Sequence, residues 1–239
     1  MKRGKQLYEG KSKIIYETEN PDLLIQYYKD DASAFNGIKK GTIVDKGVMN
    51  NHISSVIYKW LEEKGVATHF VEHMNDREQL TKKLDIILVE VVMRNVVAGS
   101  LAKRMGRPEG EVLKNPILEF YYKDDDLGDP MINEYHIREF GLATDDEIQQ
   151  LKLLGFKVND LLVGYFEERG IRLVDYKLEF GRRNGELLLG DEISPDGCRL
   201  WDLKTNEKMD KDRFRFDLGK VEEKYQEVYS KICGGENKG

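Results

Sequence analysis

Apolar and polar positions in the first part of the chain alternate over short segments bounded by turn residues, a pattern typical of β-strands. Three strands are predicted here, over residues 6–9, 13–17 and 23–28. From residue 47 to residue 64 apolar side chains instead recur at helical spacing, and Gly65 provides a stop, so a helix is predicted. Two further strands are predicted over residues 67–72 and 86–93.

The second half of the chain contains two more helical patterns on either side of a hairpin pattern. Thr144 and Glu147 have the spacing of a capping box, so we predict that a long helix begins there and ends before Gly170. A hairpin should follow, with a turn at Asn184-Gly185. Its strands are predicted over residues 172–181 and 186–190, and a last helix over residues 218–232.

This order of elements predicts an α+β fold with two lobes. Residues 1–85 would form a smaller, antiparallel, β-rich N-terminal lobe with one helix. Residues 86–239 would form a larger, mixed α/β lobe. A ligand is expected in the cleft between the two lobes.

Composition and charge exclude several classes of protein. The longest unbroken apolar run in the 239 residues is four residues long, which excludes a transmembrane helix. No apolar segment follows the first basic residues, so no secretory signal is expected. The net charge of −6 argues against a protein that coats nucleic acid. We therefore expect a soluble cytoplasmic protein that has neither a nucleic acid nor a membrane as its partner.

The cysteines and histidines give little support to a metal site or to common hydrolase chemistry. Cys198 and Cys233 form no CxxC pair. His69 and His73 have the spacing of a helical metal pair, but they lie in a predicted strand and turn, where such a spacing separates the two rings.

Charged residues in the predicted hairpin are the strongest indication of a reaction site. Period-two alternation places Asp175, Lys177 and Glu179 on one face of the first strand, and Asp191 follows the return strand. A solvated sheet surface would show the same alternation. Carboxylates at the ends of adjacent strands are also what Mg²⁺ needs when it binds together with a nucleotide phosphate.

Two further segments are candidates for binding anions. Arg94 and Ser100 flank the start of a predicted helix, where Ser100 is either a simple cap or part of a phosphate site. Lys11 and Lys13 lie in a Gly-Lys-Ser-Lys segment that lacks the spacing of a P-loop and continues into a strand. These lysines either contact a phosphate tail or lie on the plain surface.

Together these segments resemble the SAICAR synthetase family over almost the whole chain. The similar motifs are Tyr8-Glu-Gly-Lys-Ser-Lys13, Asp31-Ala-Ser-Ala34, Lys46-Gly-Val-Met-Asn-Asn51, Glu90-x3-Arg94-x3-Ala-Gly-Ser100, Asp129-Pro-Met-Ile-Asn133, Val174-Asp-x-Lys-Leu-Glu-Phe-Gly181 and Gly190-Asp-Glu-Ile-Ser-Pro-Asp-Gly-Cys-Arg-Leu-Trp-Asp202. The last two motifs are highly specific as a pair. One departure is Leu88, where the family usually has proline, and it affects only the local backbone.

The resemblance implies an ATP-dependent ligase of purine biosynthesis. It would join the carboxylate of CAIR, 5-amino-1-(5-phosphoribosyl)imidazole-4-carboxylate, to the amine of L-aspartate through a carboxyl-phosphate intermediate. It also implies ATP in the cleft, Mg²⁺ as a cofactor and a homodimer.

The resemblance assigns the site residues as follows. The catalytic residues would be Lys177 and Asp175, with Asp175 either orienting Lys177 or assisting proton removal from the aspartate amine. The ATP phosphates would lie along Lys11, Lys13 and Lys123, and the Mg²⁺ ligands would be Glu179 and Asp191. The substrate would contact Arg94, Ser100, Asp129, Asp196 and Arg199.

Two other functions stay open on the residues alone. A small-molecule kinase would leave the phosphoryl group on its product, and it would release ADP without aspartate. A catalytically silent nucleotide-binding module would bind Mg-ATP without releasing phosphate.

Overall fold

A computed structural model of the chain describes residues 1–34 and 37–234. The predicted lobes also include residues 35–36 and 235–239, which lie outside the described part. Within it the fold is α+β with antiparallel strand pairing, as the sequence predicts.

The first sheet has five strands in the order β1-β2-β3-β7-β6. Its strands are β1 (Gln6–Glu9), β2 (Lys13–Glu17), β3 (Leu23–Tyr28), β6 (Phe70–Asn75) and β7 (Glu78–Lys82). A separate pair of strands consists of β4 (Asp31–Ala34) and β5 (Lys39–Thr42).

The second sheet has six strands built around the longest one, β11. Its strands are β8 (Asp85–Val96), β9 (Val112–Tyr122), β10 (Met131–Ile132), β11 (Ile171–Arg183), β12 (Glu186–Gly190) and β13 (Cys198–Asp202). β8 pairs with one edge of β11, while β13 and β12 share the other edge, one after the other.

Six helices complete the described elements. They are α1 (Lys46–Glu63), α2 (Gly99–Met105), α3 (Glu134–Glu139), α4 (Asp145–Glu167), α5 (Asp212–Arg215) and α6 (Val221–Cys233). In the described part no helix is both long enough and apolar enough to span a membrane.

The two faces of the second sheet are chemically different because side chains alternate along each strand. Val91, Met93 and Leu178 are fully buried in the main core, together with the apolar stripe of α4 that Leu151 and Leu162 represent. The charged residues that alternate with them therefore lie on the opposite face.

The hairpin and the capped helix form as predicted. Asn184 and Gly185 both have positive φ, as a two-residue turn between antiparallel strands requires. At the start of α4 the Thr144 hydroxyl accepts from the Glu147 backbone N–H, and the Glu147 carboxylate accepts from the Thr144 N–H. Local turn and capping chemistry therefore determines these boundaries.

The strand predicted over residues 67–72 is shifted, since β6 begins at Phe70. The residues just before it pair with the other sheet through a bridge between Thr68 and Leu189. The His69 N–H donates to the Leu189 carbonyl over 2.8 Å, and the Leu189 N–H donates to the Ala67 carbonyl over 3.0 Å. This bridge joins the two sheets, and no local pattern could predict it.

The last helix begins at Val221, three positions later than predicted. Gly219 and Lys220 both have positive φ, which an α-helix excludes. The Leu218 N–H donates to the Arg213 carbonyl, so Leu218 closes the turn after α5.

Candidate active site

A cleft of about 430 Å³ lies between the first sheet and the charged face of the second sheet. One end has apolar walls, formed by Ile15, Leu24, Leu84 and Ile86. The other end holds ammonium and carboxylate groups. A cleft with this division suits a ligand that is apolar and flat at one end and anionic at the other.

Strand register brings the charged side chains of the second sheet into one row. Glu179 of β11 lies opposite Glu90 of β8, and Asp175 lies opposite Arg94. On the other side of β11, Asp175 lies opposite Arg199 of β13. Residues that face each other across antiparallel strands share a face of the sheet. The arginines of this row flank Asp175 and the lysines gather around Glu179, so the row has a lysine half and an arginine half.

We call the first half the lysine cluster: Lys13, Lys123 and Lys177 with Glu90, Glu179 and Asp191. Lys177 Nζ lies 2.8 Å from Glu90 Oε1, also donates to Glu179, and lies 3.7 Å from Asp191. Lys123 Nζ donates to the same Glu179 oxygen over 2.8 Å. One carboxylate thus joins two ammonium groups, which holds both at the floor of the cleft.

Lys13 reaches this cluster from the first sheet. Its ammonium group donates to Asp191 and lies 3.3 Å from Glu192, whose carboxylate also accepts from Ser12. Asp191 has a φ of 60°, so the backbone turns sharply as it leaves β12. The Tyr58 hydroxyl holds this turn by donating to the Gly190 carbonyl.

Charge pairing sets the ionisation of the lysine cluster. Burial opposes ionisation of Asp191, but Lys13 and Lys177 outweigh it and hold the pKa of Asp191 well below its usual range. Burial would lower the pKa of Lys177, yet Glu179 and Asp191 raise it well above the usual value. Burial raises the pKa of Glu90. Lys177 and Asp191 are therefore charged at neutral pH.

Two carboxylates of this cluster have the chemistry of Mg²⁺ ligands. Within residues 1–34 and 37–234, no three His, Cys, Asp or Glu side chains are grouped to hold a metal without other ligands. Mg²⁺ usually takes only one or two protein carboxylates and completes its shell with water and phosphate. Glu179 and Asp191 fit that need because both approach Lys177 at the floor of the cleft.

We call the second half the arginine network: Arg94, Ser100, Asp175 and Arg199, of which Arg94 and Asp175 are buried. Arg94 donates to Glu119 over 2.9 Å, to Asp175 over 2.8 Å, and to the Ser100 and Tyr121 hydroxyls over 3.0 Å each. Ala98, not Ser100, is the N-cap of α2. The Ser100 hydroxyl is therefore part of the network.

Arg199 completes the arginine network from β13. Its guanidinium group donates to both oxygens of Asp175 over 2.9 Å and to Asp212 over 2.8 Å. Gly99 lies against it, and a Cβ at that position would stand 2.6 Å from the guanidinium. Arg215 bonds the same Asp212 from α5.

Lys11 and Asp129 lie at another part of the cleft wall. Lys11 Nζ donates to Asp125 over 2.7 Å, and the Asp129 carboxylate accepts from the Asp124 N–H over 3.0 Å. The contact between Lys11 and Asp125 joins the loop after β9 to the turn after β1.

Asp196 lines the cleft, although only 5% of its side chain is exposed. It accepts from Lys46 over 2.6 Å and from the Tyr225 hydroxyl over 2.7 Å. Lys46 has no solvent exposure. The positive charge of Lys211 and Lys46 overcomes burial and holds the pKa of Asp196 well below its usual range.

The predicted site residues thus fall into two groups. Eight line the cleft: Lys11, Lys13, Lys123, Asp129, Lys177, Glu179, Asp191 and Asp196. Four belong to the arginine network: Arg94, Ser100, Asp175 and Arg199. Lys177 makes its ion pairs with Glu90, Glu179 and Asp191, while Asp175 pairs with the two arginines.

Sequence reasoning missed several residues that organise the site, namely Lys46, Glu90, Glu119 and Glu192. Glu90 had a usable signal, since it is the single charged residue in the strand predicted over residues 86–93. His69 and His73, doubted as a metal pair, have different partners. His69 bonds Gln26, and the His73 ring packs against the ring of His52.

An antiparallel α+β fold and a cleft with one apolar end and one charged end suit an enzyme that binds a nucleotide. The family model described as SAICAR synthetase matches residues 6–232. The chain therefore belongs to the SAICAR synthetase family, whose members are ATP-dependent ligases of purine biosynthesis.

Individual relatives agree with this membership. The phosphoribosylaminoimidazole-succinocarboxamide synthase of Chloroherpeton thalassium is 58% identical over 98% of this chain and 100% of its own length. The crystal structure of the Ehrlichia chaffeensis enzyme superposes with a TM-score of 0.94 at 49% identity, covering 96% of this chain and 98% of that one. A SAICAR synthetase in complex with ADP has a TM-score of 0.92 at 49% identity, covering 95% and 97%.

Proposed function

We propose that the chain joins CAIR to L-aspartate and converts ATP to ADP and phosphate, giving SAICAR. The observation that carries this proposal is the lysine cluster, which sets three ammonium groups among three carboxylates at the charged end of the cleft. All the substrates are anions, so the protein must supply local positive charge although its net charge is −6.

In this proposal ATP lies across the cleft with its base at the apolar end and its phosphates toward Lys11, Lys13 and Lys123. Residues 1–85 act as the lobe that covers the nucleotide, and residues 86–239 carry the other sites. The related SAICAR synthetase in complex with ADP supports a nucleotide in this fold.

The 5′-phosphate of CAIR binds to Arg94, Ser100 and Arg199. The two guanidinium groups are already oriented by Asp175, so little side-chain freedom is lost when a phosphate arrives. Asp196 accepts from ribose hydroxyls, and Asp129 contributes to the substrate site.

The reaction has two steps. A carboxylate oxygen of CAIR attacks the γ-phosphorus of ATP, the bond to the β-phosphate oxygen breaks, and ADP leaves. The amine of aspartate then attacks the acyl carbon, phosphate leaves, and the nitrogen loses a proton. Lys177 faces the CAIR carboxylate and offsets the charge that gathers there.

Asp175 has two alternative roles in this proposal, orienting Lys177 or accepting the amine proton. Both its oxygens accept from the guanidinium groups of Arg94 and Arg199, so its contacts support the positioning of these two arginines in place of Lys177.

Glu179 and Asp191 are the residues that would hold Mg²⁺. When bound, the ion would neutralise charge on the ATP phosphates and favour loss of ADP. Lys13 would then leave Asp191 for a phosphate oxygen, which keeps the ammonium group paired.

We also propose that the enzyme works in the cytoplasm as a homodimer. Exposed apolar residues on α3, just after it and on α4, namely Tyr135, Phe140 and Leu153, support a contact between copies. Light scattering of the purified chain would give the mass directly, and a mass of about 28 kDa would contradict the dimer.

The reaction is tested by measuring ADP release with CAIR and aspartate each omitted in turn. We expect release only when both are present. Sustained release without aspartate would instead identify a kinase, and binding of Mg-ATP with no release in the full mixture would identify a silent module.

A further inference from the structure

Within the described residues six lysines line the cleft, and one of them differs from the rest. Five donate a hydrogen bond to a carboxylate or carbonyl oxygen, namely Lys11, Lys13, Lys82, Lys123 and Lys177. The sixth is Lys211, just before α5. Its Nζ lies 3.6 Å from the carboxylate of Asp196, which is beyond hydrogen-bond distance, and it has no closer partner in the described part of the chain.

Asp196 is already committed to other donors. It accepts from Lys46 over 2.6 Å and from the Tyr225 hydroxyl over 2.7 Å. Two ammonium groups thus share a single carboxylate here, whereas the lysine cluster has three of each. Asp196 and its two lysines therefore carry one net positive charge.

Burial makes this charge costly. Only 11% of the Lys211 side chain is exposed, and it is exposed beside a cleft that a ligand can enter. Burial, with the positive charges of Lys46 and Arg215, lowers the pKa of Lys211, and Asp196 and Glu192 offset this only in part. Buried charges in folded proteins are normally paired and hydrogen-bonded, so this one indicates an anionic group on the ligand.

In the proposed reaction the other anionic groups already have cations. The ATP phosphates lie along three lysines, the CAIR phosphate lies at two arginines, and the CAIR carboxylate faces Lys177. The two carboxylates of L-aspartate have no partner. The amine of aspartate must be held close to the acyl carbon, so a cation in the same cleft is needed to position it.

We propose that Lys211 binds L-aspartate by donating to one of its two carboxylates. This inference rests on the proposed ligation and assigns a residue to the substrate that otherwise has none. Lys211 orients the amine for its attack and is not required for transfer of the phosphoryl group.

The test measures the KM for each substrate in the wild type and in Lys211→Met. Loss of a charge-assisted hydrogen bond should raise the KM for L-aspartate about 10- to 100-fold and leave those for CAIR and ATP within about twofold. The fold should persist because Asp196 keeps its bonds to Lys46 and Tyr225, which thermal melting checks. Lys211→Gln is a second variant with the same expectation. An unchanged KM for aspartate, or a rise that CAIR or ATP shares, would overturn the inference.

Lys82 offers a matched control. It lines the same cleft, but its ammonium group donates to the Thr68 carbonyl over 2.8 Å. Lys82→Met removes the same charge from the cleft and should leave the KM for L-aspartate within about twofold. A rise as large as that in Lys211→Met would assign the effect to a general loss of positive charge and overturn the inference.

Equilibrium binding separates this inference from the proposed reaction. Equilibrium dialysis with radiolabelled L-aspartate needs no turnover. Binding that is about 10- to 100-fold weaker only in the Lys211 variants supports the inference even if no SAICAR forms. Ligation by the wild type, with the same affinity for aspartate in Lys211→Met, would overturn the inference and leave the reaction intact.

Discussion

The lysine cluster and the arginine network lie on the same face of one sheet, yet they are built differently. The Lys177 side chain is 30% exposed and shares its carboxylates with other ammonium groups, whereas the Arg94 side chain is 5% exposed and every bond it makes is to a fixed partner. The lysine cluster can exchange its ion pairs for bonds to a ligand. The arginine network keeps its side chains in a fixed arrangement.

This difference follows from the two cations. An ammonium group is a point charge on a flexible stem, and it can move from a carboxylate to a phosphate oxygen at little cost. A guanidinium group has fixed donor directions, so it is useful when its partners are fixed as well. Changes in the lysine cluster should therefore affect the reaction, and changes in the arginine network should affect both stability and the binding of one substrate.

The largest expected effect is that of Lys177→Met. It should lower ligation by about three orders of magnitude or more, because the charge that faces the reacting carboxylate is lost. The measurement is kcat for SAICAR formation, with circular dichroism to confirm the fold. Lys114→Met, on an exposed position of β9, is the control and should retain full activity. Near-normal turnover in Lys177→Met would remove Lys177 from the mechanism.

Asp175→Asn should destabilise the arginine network. Asp175 is 3% exposed and pairs with two guanidinium groups, so its neutralisation should reduce the free energy of unfolding by about 3 kcal/mol. Urea unfolding measures this loss. Asp160→Asn, exposed on α4, should change the free energy by less than about 0.5 kcal/mol. Equal losses in the two variants would mean that the network has no structural role.

Arg199→Ala should separate the two substrates. Loss of a charge-assisted bond to phosphate costs about 1.5–3 kcal/mol, so the KM for CAIR should rise about 10- to 100-fold while that for ATP stays within about twofold. Arg215→Ala is the matched control because it removes another arginine from Asp212. A parallel rise for CAIR and ATP would contradict the phosphate assignment.

An effect of pH on stability distinguishes the two regions by its sign. Burial and the charge of Asp212 raise the pKa of Asp210, beside the arginine network, to about 7. Since its unfolded pKa is about 3.9, stability from Asp210 is present below pH 4 and lost as the pH rises to about 7, by at most about 1.4 kcal/mol per pH unit. Asp210→Asn should remove that loss.

Asp191 should behave in the opposite way. Its folded pKa is depressed by Lys13 and Lys177, so its contribution is present above about pH 4 and lost as the pH falls further. Urea unfolding of Asp191→Asn and Asp210→Asn from pH 3 to pH 8 checks both signs. If the free energy of unfolding changed with pH in the same way in both variants, the difference between the two regions would be contradicted.

The sequence predicted those features that depend on near neighbours. The Asn184-Gly185 turn and the Thr144 capping box are formed by residues within a few positions of one another, so their structure follows from local chemistry. The alternation of Asp175, Lys177 and Glu179 likewise placed three charges on one face before any partner was known.

What could not be predicted depends on register between distant strands. Glu90 and Lys177 meet only because β8 pairs with β11 in one particular alignment. Lys46 reaches Asp196 across 150 positions of sequence, and nothing near Lys46 in the chain indicates that it would be buried. The ion pairs of the site are therefore products of the tertiary fold.

The pairing of β8 with β11 also has a consequence for how the enzyme gains activity as it folds. Arg94 and Asp175 are 81 positions apart, and β13 must join β11 before Arg199 arrives. Contacts that close such long loops form late and slowly. A nascent chain should thus have no working site until residues beyond β13 have emerged from the ribosome. During refolding, catalytic activity should return in a single late phase, after most of the helical signal has already recovered.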